Sequence, residues 1–267
     1  MKKIAIYCVT YHSYSELYHY LQSLNHASAQ SEVCMVDIYI ADNTCEDQEQ
    51  IDTQCHPSLT IKVFPFYENL GYFGAIQKMM SKTNILLYDY VIISNVDVII
   101  SPDFFSKLAN YPLSPNDGWI APAIISQNDG CDLNPQATHR YSLTKLKILH
   151  FFYQHPTVNW LYEHTLHLSK RHQHHQPGQV YAGHGSFIVL THEYFVRCGI
   201  IDYPIFLYGE EIYIGEQCLR NKLKVNYFPS LQVNDIGNVS TGKMKRSFYY
   251  KCNADAIKYI IDNYYKE

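Results

Sequence analysis

The sequence has no apolar run approaching the roughly 18 residues that a membrane-spanning helix needs. It also has little charge. Asp, Glu, Lys and Arg make up 17% of the 267 residues, and 21 Lys+Arg against 25 Asp+Glu leave a net charge of −4. That balance excludes a strongly basic nucleic-acid binder. Hydrophobic content of 47% with so small a net charge excludes intrinsic disorder. The eight Cys lack CxxC and Cys/His finger spacing, so no zinc module is read. No export signal is read either, because the apolar opening stops at Thr10 and Tyr11-His12-Ser13 follow without a small-residue cleavage site. Free thiols in a cytoplasmic chain are therefore expected. What the chain has in excess is 25 Tyr and 14 His.

Ile4–Val9, Val36–Ala41, Ile61–Phe66 and Tyr90–Ser94 are short apolar runs read as buried strands. Between them, Ser13 and Glu16 form a capping box ahead of Leu17, Leu21 and Leu24, and Gly71 opens a helix carrying Ile76, Met79 and Met80. Strand–helix alternation predicts an α/β fold with a mostly parallel central sheet flanked by helices. Ligands in such sheets sit at the carboxyl ends of the strands. Thr10–Ser13, Asp42–Thr44 and Asn95–Asp97 all fall there. The second half reads as a strand over Trp119–Ile125, a polar loop to Arg140 and two helices over Leu143–Lys170 split at Pro156. A strand over Ser186–Leu190, a short helix capped by Thr191, a helix over Glu210–Arg220, a strand over Leu223–Phe228 and a helix over Lys243–Tyr265 follow. No repeat or linker divides the chain, so one domain over 1–267 is expected, with a change of role near residue 100.

Several groups can carry chemistry. Asp97 ends a buried strand in the company of Asp42 and Asn69, which suits a hard cation holding phosphates as well as it suits a turn former. Asn69-Leu70-Gly71-Tyr72-Phe73-Gly74 puts two glycines at a loop-to-helix junction, where backbone can approach a phosphate or sugar; it is neither a Walker loop nor a dinucleotide fingerprint. Gly209-Glu210-Glu211 places two acids at a helix N-terminus, where the macrodipole favours them and where one could act as general base.

Taken in order, VTYHSYSEL, IADNT, ENLGYFGA, ISNVDVIISPDFF, HGSFIVL and FLYGEEIYIGEQCLRNKLKVNYFPS resemble bacterial glycosyltransferases of family 2, the GT-A fold enzymes of capsule and O-antigen synthesis, over Ile4 to about Ser247. The resemblance implies a nucleotide-binding half over 1–100, a donor and acceptor half over 101–242 with a helical insert about 142–172, and a C-terminal helix. It implies that Thr10, Tyr11, Asp42, Asn69, Gly71 and Asn95 meet the nucleotide, and that His184, Gly185 and Ser186 lie beside donor and acceptor. Asn95-Val96-Asp97 stands for the Asp-x-Asp motif, with Asp97 a ligand of Mg²⁺ or Mn²⁺. Glu210-Glu211 matches the acidic pair, with Glu211 as catalytic base and Glu210 orienting the site. Partners implied are a UDP-sugar, or next a dTDP-sugar, and a saccharide or lipid-linked acceptor.

The sequence departs from the family at Asn95 and at Asp235, which stands where a His is usual; a carboxylate there can still serve the metal or diphosphate. Lys243, Lys245 and Arg246 could hold diphosphate charge or form a solvated turn. Nine of the 14 His fall between His139 and His184, and His172, His174 and His175 read better as a solvated loop than as a metal site. The helices on either side of Pro156 mix aromatics with Lys145 and Lys147, a pattern of peripheral membrane contact or of core and dimer packing. Tyr11, Tyr72, Tyr181 and Tyr208 are candidate walls of the site. Two other readings stand beside transfer. A nucleotidyltransferase would need a Gly-rich basic loop that Thr10–Ser15 lacks, and a catalytically silent sugar-nucleotide binding protein would fit the changes at Asn95 and Asp235.

Overall fold

The computed structural model describes residues 1–165, 175–237 and 245–266. Four strands, β1 (Lys2–Thr10), β2 (Cys34–Asp42), β3 (Thr60–Pro65) and β4 (Tyr90–Ser94), pair in parallel in the order β3-β2-β1-β4. They are joined through α1 (Tyr14–Ala29) and α2 (Tyr72–Met80). The parallel order expected from strand–helix alternation holds across this half. Beyond it, β8 (Phe187–Thr191) runs antiparallel to both β4 and β6 (Asp117–Ser126), and β9 (Lys224–Asp235) is parallel to β6, so the whole sheet is mixed. Two short strands, β5 (Val98–Ile100) and β7 (Gly178–Val180), pair antiparallel with β9; the sequence reading missed both, their three residues being too few for a periodicity.

Alternation along β1 sorts the core. Ile4, Ile6 and Cys8 face α1 and α3 (Phe104–Ala109), with Leu17, Leu21, Phe104 and Phe105. Ala5 and Tyr7 face the other layer with Phe73, Ile76 and Met79 of α2, Tyr194 of α6 (His192–Cys198) and Tyr213 and Ile214 of α7 (Glu210–Arg220). Ile257 and Ile260 of α8 (Arg246–Tyr264) and Leu146 of α4 (Leu143–Gln154) complete it, with α5 (Pro156–Thr165) continuing after Pro156. Most of the Tyr surplus is structural: Tyr7, Tyr20, Tyr90, Tyr194, Tyr203 and Tyr213 are among the largest fully buried side chains. Tyr181 is also buried, its hydroxyl donating to Glu216 Oε1 at 2.7 Å, so it is no wall of a binding site. The expected capping box is not formed; the Ser13 hydroxyl donates to the Tyr11 carbonyl at 3.2 Å and gives α1 no side-chain cap.

One geometric constraint decides the shape of the site. Only three residues, Asn95–Asp97, separate β4 from β5, so the four steps from Ser94 to Val98 span at most roughly 14 Å of chain. In a flat sheet β5 would lie four strand spacings from β4, about 19 Å away. The sheet therefore curls at this end. The register shift opposite Pro122/Ala123, where β9 passes through Pro229, is the bulge that permits it. The sequence reading ends this strand at Phe228; the bulge carries it on to Asp235.

Glu216 of α7 is fully buried. Arg140 grips it through Nε at 2.7 Å and a second nitrogen at 2.9 Å, and also donates to the Tyr264 carbonyl at 3.0 Å. The pair ties the polar loop to α7 and α8. Arg140→Ala would leave the carboxylate with the Tyr181 hydroxyl, and destabilise by about 2 kcal/mol in urea unfolding. Partial exposure of Arg140 keeps this below the 3–5 kcal/mol typical of a broken buried pair.

Candidate active site

A cavity of about 600 Å³ opens at the carboxyl ends of β1, β2 and β4. Every predicted site residue except Thr10 and Asp42 lines it: Tyr11, Asn69, Gly71, Asn95, Asp97, His184, Gly185, Ser186, Glu210, Glu211 and Asp235. The two exceptions have one cause. Thr10 pairs with Asp42 across β1 and β2, and strand alternation sends both side chains to the α1 face, where Asp42 accepts from Tyr14 Oη at 2.9 Å and Thr44 N at 3.0 Å. Their successors Tyr11 and Asn43 reach the cavity instead. Sequence reasoning missed Asn43. Its Nδ2 donates to the Gly71 carbonyl at 2.9 Å, while its buried Oδ1 has no hydrogen-bond partner among the described residues. Phe206, Leu207 and Phe248 were also missed, since ordinary apolar residues carry no motif signal.

Gly71 is required by geometry. Its φ of +72° and ψ of −166° lie in a region essentially reserved for glycine, and a Cβ would stand 2.1 Å from the Phe206 carbonyl oxygen. Tyr72 N donates to that same oxygen at 3.1 Å, and Tyr72 Oη to the Gly185 carbonyl at 3.3 Å. The Asn69–Tyr72 turn is thus locked against two other walls.

Asp97 and Asp235 come together at the edge of the sheet. Val98 is paired with Asp235, and Ile236 N donates to the Asp97 carbonyl at 2.9 Å. Burial raises the Asp235 carboxyl above its ordinary value, against the lowering effect of the Ser186 hydroxyl and the Gly237 backbone. That hydroxyl also lies 2.9 Å from His184 Nδ1, which accepts from Ser186 N at 3.3 Å and so leaves the ring proton to Nε2. Burial holds the imidazole below its usual value, although Glu211, Asp97 and Asp132 pull the other way. His184 is therefore a neutral polar group. Its backbone N is fixed by Asn134 Oδ1 at 2.7 Å.

The acidic pair faces the cavity from the start of α7. Tyr208 (φ +72°) and Gly209 (φ +82°) are both left-handed, and this reversal aims Glu210 and Glu211 inward. Glu210 is buried and accepts from Tyr208 N at 3.0 Å. Burial and the neighbouring Glu211 push its carboxyl up to about 8. Glu211 is half-buried, and a Cβ on Gly185 would sit 3.5 Å from its Oε2. The folded state then holds on Glu210 a proton that the unfolded chain releases between about 4.5 and 8, so stability falls as pH rises through that window. Glu210→Gln should match the wild type at the acid end and exceed it near pH 8 by an amount on the order of 3 kcal/mol, read from urea unfolding at both pH values.

Among the described residues no group of three or more His, Cys, Asp or Glu could hold a metal ion. Asp97 and Asp235 form a two-carboxylate edge. His172, His174 and Lys243 lie outside the described residues.

The model of the family described as Glycosyl transferase family 2 matches residues 6–195. The chain belongs to this family. The matched stretch of the family 2 protein contains Asp97 and His184 but ends before Glu210, Glu211 and Asp235, which the fold alone brings to the cavity. No curated protein matches the chain. Among solved structures, GalNAc-T7 with UDP, GalNAc and Mn²⁺ is similar at 14% identity and TM-score 0.62, over 99% of this chain and 50% of that one. S. aureus TarS 1-349 in complex with UDP-GlcNAc is similar at 12% identity and TM-score 0.59, over 99% and 68%. The mannosyltransferase PcManGT from Pyrobaculum calidifontis in complex with GDP-Man and Mn²⁺ is similar at 11% identity and TM-score 0.55, over 96% and 69%. These likenesses establish the GT-A fold expected from the sequence. The chain spans about half the length of the GalNAc-T7 structure.

Proposed function

We propose that this family 2 protein is an inverting glycosyltransferase moving a sugar from a nucleotide-diphosphate donor to a hydroxyl of a saccharide or lipid-linked acceptor in cell-surface polysaccharide synthesis. The observation that carries it is one cavity holding two carboxylate sites, Asp97 with Asp235 at the sheet edge and Glu210 with Glu211 at the start of α7, with His184–Ser186 between. Binding of a diphosphate and deprotonation of a hydroxyl need separate groups, and the cavity supplies one set for each.

At the nucleotide end, Tyr11 offers a flat ring and Asn43 Oδ1 a buried acceptor for a base or ribose N–H or O–H. The glycine at Gly71 lets ligand approach the backbone. Solved structures of similar fold hold UDP, UDP-GlcNAc or GDP-Man, which supports a nucleotide sugar. A UDP-sugar is the reading we favour, with dTDP next. Asp97 and Asp235 fit Mg²⁺ or Mn²⁺, since such ions take one or two carboxylates and fill the remaining positions with substrate phosphates and water. The ion supplies positive charge against the departing diphosphate. Neutral His184, carrying its proton on Nε2, adds a hydrogen-bond donor without repelling that ion.

At the acceptor end, Glu211 accepts the proton of the attacking hydroxyl. Glu210, protonated near neutral pH, lets two adjacent carboxyls share the site without two charges, and its bond to Tyr208 N holds the turn that aims Glu211.

A thermal-shift panel of UDP, GDP, dTDP and CMP, with and without Mn²⁺, tests the donor half. UDP with Mn²⁺ should stabilise the fold by about 2.7 kcal/mol at a hundredfold excess over Kd, and Asp97→Asn should remove the Mn²⁺-dependent part. No shift with any nucleotide would overturn the reading.

A further inference from the structure

The outer face of the helical insert is built for contact, not for water. In α4, Leu146 is buried and Leu149 and Tyr153 pack on the core. A solvated helix would carry charge on the opposite face. Here that face carries Ile148 and Phe151, exposed 50% and 48%, one turn apart. Trp160 of α5 is exposed 49%, and Phe248 and Tyr249 open α8 beside α4. A cavity of about 380 Å³ joins the two helices, with Trp160 and Pro156 on one side and Arg246 and Tyr250 on the other. These apolar groups therefore form one surface instead of scattered single side chains.

Charge gives the partner. Residues 142–165 and 245–254 contain Lys145, Lys147, Lys245, Arg246 and Lys251 against a single acid, Glu163, in a chain whose net charge is −4. Exposed aromatics and aliphatics set among a local excess of cations complement a surface with an apolar interior and anionic headgroups. A second copy of this chain would bring the same cations against themselves. No helix among the described residues is long and apolar enough to cross a membrane, so such contact would lie in the interface plane.

We propose that the α4–α5 face and the start of α8 dock on the anionic surface of a lipid bilayer. Phe248 belongs both to this face and to the wall of the active-site cavity, so docking sets the mouth of the cavity beside the lipid. The surface argument does not depend on the catalytic reading, and vesicle binding needs neither donor nor acceptor.

Co-sedimentation with phosphatidylcholine vesicles, with and without about 30% phosphatidylglycerol, tests it. The wild type should bind the anionic vesicles at least about tenfold better, and lose that binding in high salt. Phe151→Ser with Trp160→Ser, and separately Lys147→Glu with Lys251→Glu, should each weaken binding about tenfold or more. All these positions are exposed, and thermal unfolding confirms that each variant is folded. Equal binding to both vesicle types, or wild-type binding by folded variants, would overturn the proposal. So would absence of vesicle binding together with a dimer that Phe151→Ser/Trp160→Ser dissociates.

Discussion

Glu211→Gln should abolish sugar transfer while leaving nucleotide binding intact. Removing a general base costs about 10²–10⁴ in rate. Glutamine keeps the shape of the side chain and its place against Gly185, so the cavity and the nucleotide end should be unchanged. The informative control is next door. Glu210 already carries a proton near neutral pH because burial and the adjacent acid raise it to about 8. Glu210→Gln replaces one neutral acceptor of the Tyr208 N–H with another, and its rate should fall by about tenfold at most. The check is donor-dependent transfer measured beside a UDP-induced thermal shift. If Glu211→Gln retained transfer within about tenfold of wild type, the base would have to be sought elsewhere. If wild type neither transferred sugar nor hydrolysed any donor across a panel, the silent binding protein would be the better reading.

Gly71→Ala should be the most damaging single methyl in the site. Holding a non-glycine residue in this backbone region costs about 1–3 kcal/mol. The new Cβ would also lie 2.1 Å from the Phe206 carbonyl oxygen, and backbone cannot swing aside as a flexible side chain can. A total loss of about 3–5 kcal/mol is expected, read as a lower midpoint in urea unfolding. The relief route matters for function. Moving Phe206 breaks its bond from Tyr72 N and displaces the wall that Phe206 and Leu207 contribute; shifting Gly71 instead disturbs Asn43, which donates to its carbonyl. Nucleotide affinity should therefore fall along with stability. Gly74→Ala is the contrast, because its nearest new contact would be Leu70 Cβ at 3.8 Å, and it should be nearly neutral. Equal tolerance of both substitutions would remove the argument that the Asn69–Tyr72 turn is shaped by close approach.

What the sequence determined by itself was whatever local patterns record. Apolar runs marked β1, β2, β3, β4 and β8, helical spacing marked α1 and α2, and Thr191 was correctly read as the cap of α6, its hydroxyl accepting from Tyr194 N. The ordered motifs placed Asn69–Gly71, Asn95–Asp97, His184–Ser186 and Glu210-Glu211, and all four segments line one cavity. Tertiary structure decided the rest, because it depends on contacts distant in sequence. A bulge at Pro229 is what extends β9 to Asp235, and the curl of the sheet is what sets Asp235 beside Asp97 across 137 intervening positions. Strand register turned Thr10 and Asp42 toward α1 and handed the cavity to Tyr11 and Asn43, a one-residue difference that a motif match does not resolve. Burial, which no spacing reports, is what keeps a proton on Glu210 near neutral pH. The chemistry was written in short segments; its geometry came from packing them onto a twisted, interrupted sheet.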